Sequence, residues 1–170
     1  MAGYTQGMTW LILIVRLGRA APRYRRRVYA ELGNSGAVPV SDGVWAIPDT
    51  VFHRAAVNTA VRGAALGGGD IVILATSPEN APSHEVLEAK LAERLNAEAA
   101  AIVHRCREYA AMARRCAPGL EPDDRVEEFF KLERDIRRLS LVDVIGLEAV
   151  ASAVARVAET GSLRGTADVA

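Results

Sequence analysis

The chain has 170 residues, half of them hydrophobic, with 21 Lys and Arg against 21 Asp and Glu. That length gives one domain or a small domain with an appendage, and balanced charge at this apolar content excludes a disordered tail or a chain basic throughout. The zero net charge is a cancellation, because residues 1–62 hold eight Arg against three acids and residues 63–170 hold 13 cations against 18 anions. Residues 1–7 read as a disordered leader. Residues 10–17 form a continuous apolar run closed by Gly18, the pattern of a strand buried on both faces. Pro22 in a first turn and Gly33 as C-cap bracket a helix. Tyr24, Val28, Tyr29, Ala30 and Leu32 offer its apolar side, and Arg23, Arg25, Arg26 and Arg27 occupy much of the rest.

Residues 37–40 and 44–47 are two short strands around an Asp42-Gly43 hairpin turn, and Pro48 ends the second. Asp49 or Thr50 caps a helix reaching about Leu66, with Val51, Phe52, Ala55, Val57 and Val61 as its apolar positions. Gly67-Gly-Gly69 breaks that helix, and residues 70–75 form a fourth strand. The order β-α-β-β-α-β over residues 9–75 predicts an α+β head of the ferredoxin-like kind: a four-stranded antiparallel sheet with two helices on one face. A Rossmann half would need a helix between the second and third strands, where only turn residues stand.

After residue 76 the character becomes helical. Leu87, Leu91, Leu95, Ile102, Cys106, Tyr109 and Ala113 make a single stripe on a long helix from Pro82 to about Cys116. Pro122, Asp123 and Asp124 open another helix containing Val126, Phe129, Phe130, Ile136 and Leu139, and a last Ala/Val-rich helix fills residues 146–159. The plan is a head at residues 8–76, a helical extension at 82–160 and a frayed tail at 161–170.

Cys106 and Cys116 are too few for a disulfide framework and lack metal-ligand spacing. The apolar run at 10–15 is too short to span a bilayer and lacks the flanks of a secretory signal, so the expectation is a cytoplasmic protein with no membrane partner.

No catalytic constellation stands out, and the chain is expected not to be an enzyme. Gly67-Gly-Gly69 precedes a strand and lacks the Lys-Ser/Thr of a phosphate-binding loop. His53, His84 and His104 lie far apart with no metal-ligand spacing; His53, beside Arg54, reads as an exposed polar residue, with phosphate contact as the weaker alternative. The positive feature is arginine. Arg16, Arg19, Arg23, Arg25, Arg26 and Arg27 fall within twelve residues, with no acid before Glu31. Their planar forks suit bidentate contact with phosphate or another oxyanion. The competing reading is an intramolecular face paired with the acidic tail helices.

Trp10-Leu-Ile-Leu-Ile-Val-Arg-Leu17, the Arg-rich helix ending Tyr29-Ala-Glu-Leu-Gly33, Gly36-Ala37 and Gly43-Val-Trp-Ala-Ile-Pro48 together resemble the N-terminal domain of the chromate resistance protein ChrB. Lys90-Leu-Ala-Glu-Arg-Leu-Asn96, Arg105-Cys-Arg-Glu-Tyr109 and Phe130-Lys-Leu-Glu-Arg-Asp-Ile-Arg-Arg138 resemble its later helices, so the likeness covers residues 8–160. It implies a DNA-binding regulator of chromate resistance, with chromate as effector and Arg16, Arg19, Arg23, Arg26 and Arg27 as the DNA or oxyanion contacts. Two features depart from the family pattern: Gly18 stands where a proline is usual, and the sequence stops where the family's second, C-terminal domain is expected to begin. Without that domain, the expectation is DNA binding without sensing, or a partner subunit. The head also resembles, more distantly, the ferredoxin-fold part of phenylacetate-type repressors and small CRISPR-associated nucleases. Those nucleases hold a metal with an Asp at the end of the first strand, where this chain has Arg16-Leu17.

Three functions follow as expectations: a DNA-binding regulator, a helical protein–protein interaction module, and a ferredoxin-fold nuclease opposed by the missing acid. An antiparallel sheet with open edges also predicts a homodimer, through an edge or the tail helices.

Overall fold

The apolar run near the start becomes β1 (Trp10–Arg16) in the computed structural model, which describes residues 8–18, 22–76, 81–115 and 122–165. There follow α1 (Pro22–Asn34), β2 (Val38–Ser41), β3 (Val44–Pro48), α2 (Val51–Leu66) and β4 (Asp70–Thr76). The strands form one sheet in the order β2-β3-β1-β4, with every neighbouring pair antiparallel. This is the expected ferredoxin-like βαββαβ arrangement. The leader at 1–7, Arg19 and Cys116 lie outside the described residues.

Alternation along the strands decides which side the helices cover. Leu11, Leu13 and Val15 of β1, Ile47 of β3 and Ile71 of β4 bury against Val28 and Leu32 of α1 and Val57, Ala60 and Ala64 of α2. Each fully buried Leu or Ile contributes about 2 kcal/mol through loss of apolar surface to water. The two helices approach closely: a Cβ on Gly63 would stand 3.4 Å from Val28 Cγ2.

Two glycines permit the sheet's tight connections. Gly43 adopts φ +71 in the β2–β3 turn, and its carbonyl accepts the Val15 N–H at 2.7 Å. At Gly69, just before β4, a Cβ would lie 2.5 Å from the Arg16 carbonyl oxygen and 2.9 Å from Leu17 Cα. No other residue fits there without moving the end of β1 away from β4.

Three helices complete the chain: α3 (Ala81–Arg115), α4 (Pro122–Val142) and α5 (Glu148–Gly165). The chain divides into two compact units, residues Met1–Arg94 and Leu95–Ala170, with the division inside α3. In the first unit the Arg94 guanidinium donates to the Ala37 carbonyl at 2.7 Å and to the Gly33 carbonyl, closing the C-terminal end of α1.

In the second unit the predicted stripe is largely buried. Leu95, Ile102, Cys106 and Tyr109 of α3 are inaccessible, as are Phe129, Leu132, Ile136, Leu139 and Val142 of α4 and Val150, Ala153 and Val157 of α5. Phe130, read from the sequence as apolar-side, is 53% exposed, while its neighbour Phe129 packs against Tyr109 with ring centroids 6.1 Å apart. The turn between α4 and α5 is fixed by Asp143, whose carboxylate accepts the N–H groups of Gly146 and Leu147. Helix α5 begins at Glu148, two residues later than the spacing suggested, and runs on to Gly165.

Candidate nucleic-acid interface

The arginines of α1 meet the positive end of their own helix. Its first turn contains no acidic residue, and Arg23, Arg25, Arg26 and Arg27 are all exposed there. Backbone N–H groups at a helix start carry a partial positive charge, so the guanidinium fields add to that of the helix. Val28 and Leu32 supply the anchoring stripe that points this cationic side outward. Ala30, expected on the apolar side, lies exposed among the arginines.

The predicted contacts separate into distinct environments. Arg16, at the end of β1, pairs through the antiparallel register with Asp70 at the start of β4. Its Nε and Nη2 atoms each donate to one carboxylate oxygen at 2.7 Å. That bond, and then the charge of Asp70, raise the Arg16 pKa further above its usual value. Both partners are largely exposed, so the pair contributes little stability. It does hold the Arg16 fork in a fixed place. Arg23 lies over the Tyr24 ring, 4.7 Å from its centroid, and donates to the Tyr24 hydroxyl at 3.1 Å. Among the described residues, no carboxylate pairs with Arg25, Arg26 or Arg27.

Arg25 and Arg26 do more than decorate the helix. With Pro22 and Tyr29 they line a shallow, open recess of about 490 Å³. The Tyr29 ring is backed by Trp45 of β3, with centroids 5.9 Å apart and planes 31° from parallel. The lining of the recess is almost wholly apolar, so it offers a contact for a ring or apolar group beside the arginines. Arg25 was not among the predicted contacts. Its signal was present in the sequence, since Arg25 and Tyr29 stand four apart on one helical face.

His53 departs from expectation. It is fully buried at the start of α2, not exposed beside a phosphate. Thr50 is the N-cap, its hydroxyl oxygen accepting the His53 backbone N–H at 3.3 Å and lying 2.6 Å from Nδ1. Nε2 has no hydrogen-bond partner among the described residues. Burial lowers the His53 pKa to about 4, so the imidazole is neutral near pH 7. The cation beside it, Arg54, is turned back onto Asp49 by a two-point ion pair.

The other histidines are also placed. His84 Nδ1 lies 3.3 Å from Glu88, and the exposed His104 lies 3.5 Å from Glu108, each one helical turn away. Cys106 is buried, and burial raises its thiol pKa. Among the described residues no three His, Cys, Asp or Glu side chains gather in a metal-binding group, and no helix is long and apolar enough to cross a membrane.

Comparison with known proteins places this arrangement in a family. A family model described as "Protein ChrB, N-terminal" matches residues 25–164. The matched stretch includes Arg25, Arg26, Arg27 and Tyr29, and starts after Arg16, Arg19 and Arg23. No curated protein and no solved structure matches the chain significantly.

Proposed function

Since the chain belongs to the ChrB N-terminal family, whose name ties it to chromate resistance, we propose that it is a cytoplasmic, DNA-binding transcriptional regulator of that resistance, without catalysis of its own. Arg25, Arg26 and Arg27 hold backbone phosphates and Arg23 flanks them; Arg16, already engaged by Asp70, and Arg19 are the further contacts to test. The observation that carries the reading is the run of exposed arginines at the positive end of α1 that have no carboxylate partner among the described residues. Such contacts supply affinity without sequence preference. The protein acts as a dimer, the symmetry that matches a two-fold operator. Chromate, when it acts as effector, is a tetrahedral dianion for which paired arginine forks are apt ligands.

The test is a gel-shift titration with the DNA upstream of the chain's own gene, against random DNA, at two salt concentrations. Three to four phosphate contacts per copy, doubled in the dimer, give a slope of log affinity on log salt of about −6. Arg26→Glu lowers affinity at least tenfold and flattens that slope. Equal affinity for both DNAs, together with no effect of Arg26→Glu, would overturn the reading. A stable complex with a cellular protein and no DNA affinity would favour the helical interaction module.

A further inference from the structure

The two edges of the sheet are unlike. β2 is four residues long, carries Pro39 within it, and its register against β3 is irregular between Pro39 and Ser41. Short length, proline and a bulge are the features that keep an edge strand from pairing with another chain. At the opposite edge, β4 has none of them. It is seven residues long, Asp-Ile-Val-Ile-Leu-Ala-Thr, pairs in unbroken register with β1, and among the described residues has no strand on its outer side.

It is also exposed. Val72, Ile73 and Leu74 are 37, 40 and 50% accessible, and of the seven residues only Ile71 is buried. A strand with this much apolar surface on both faces and an open row of N–H and C=O groups is a template for another strand.

We propose that β4 pairs with β4 of a second copy, antiparallel across a two-fold axis at Ile73, joining two sheets into one of eight strands. Self-complementarity selects this occupant. With Ile73 opposite its own mate, Val72 meets Leu74, Ile71 meets Ala75, and Asp70 meets Thr76. Every apolar side chain finds an apolar one, and no like charges face each other. Asp70, the strand's one charged residue, is already neutralised by Arg16 within its own copy. A second copy's β2 edge does not serve, because Pro39 withholds an N–H and the ladder beside it is irregular. The proposal specifies the dimer that the regulatory reading assumes, but its test uses no DNA.

The test is sedimentation of the full chain across a concentration range, beside two variants. Wild type approaches twice its 18.2 kDa mass as concentration rises. Ile73→Lys, which sets two ammonium groups against each other at the axis, stays at the monomer mass with an unchanged circular dichroism spectrum. Ile73→Cys in a Cys116→Ser background forms an intermolecular disulfide under mild oxidation, since directly opposed strand residues lie within disulfide reach. A wild-type monomer at every concentration overturns the proposal. So does a dimer whose mass survives Ile73→Lys, which would place the interface elsewhere. If Ile73→Lys misfolds, failure of Ile73→Cys to cross-link an intact dimer overturns it equally. Failure of DNA binding with the dimer intact would overturn only the regulatory reading.

Discussion

In the helical unit, arginines are spent on structure. Arg105 is held by Glu128 and Asp135, which raise its pKa through hydrogen bonds, and Arg138 by Glu98. Lys131 joins Glu127, and Arg156 joins Glu159. In the head, Arg25, Arg26 and Arg27 face water with no carboxylate partner among the described residues. Arginine is thus held by partners in the helical unit and at Arg16, Arg54 and Arg94 of the head, while the cluster on α1 stays available. Whole-chain neutrality hides this, because many of the helical unit's acids pair with cations of the same unit.

The comparison can be pressed by measuring the two regions separately, since Trp10 and Trp45, the chain's two tryptophans, both lie in the head. Tryptophan fluorescence reports head unfolding, while circular dichroism is weighted toward the long helices. The largest effect expected is the pH response of the head. His53 takes up a proton near 6.5 when unfolded and only near pH 4 when folded. Between those values the unfolded chain binds more protons, so stability falls as pH drops through this window and levels off below it. The loss reaches about 3 kcal/mol. In urea titrations followed by fluorescence, His53→Leu should flatten this slope relative to wild type, whatever its own effect on stability at pH 7. An unchanged slope would show that the imidazole protonates freely in the folded head.

Next in size is Arg105→Gln, which leaves Glu128 and Asp135 facing each other without their shared cation. It should cost about 1–2 kcal/mol in denaturation followed by circular dichroism. Smallest is Arg26→Gln. Removing a cation from the positive end of α1 should leave fluorescence-monitored stability within about 0.5 kcal/mol, with any change toward greater stability. A loss comparable to that of Arg105→Gln would mean that Arg26 has a structural partner, and the contrast between the regions would fall.

The head's topology was legible because two turn residues between strands leave room for nothing but a hairpin, and helix-length stretches stand between the others. The arginine cluster was equally plain, being local. What escaped depended on distance along the chain or on residue type. Arg16 and Asp70 are 54 residues apart and meet only through the β1–β4 register. His53 shares the spacing of Val57, Ala60 and Ala64, the buried positions of α2, but a polar residue beside Arg54 reads as exposed. Its burial becomes readable only when spacing is allowed to outrank side-chain polarity. Val51, read as apolar-side, is 88% exposed for the converse reason, as it sits at the helix mouth off that stripe.

The reach of Arg94 from α3 back to Gly33 and Ala37 has a practical corollary for anyone dissecting the protein. A fragment ending with the last strand would look complete on a topology diagram, yet it would remove the guanidinium that bonds the Gly33 carbonyl in the last turn of α1 and the Ala37 carbonyl just after it. Those carbonyls lie at the far end of the helix that bears the cationic cluster. An isolated head that binds poorly would then report a loosened α1, and the fault would lie in the cut. The piece to express runs past Arg94.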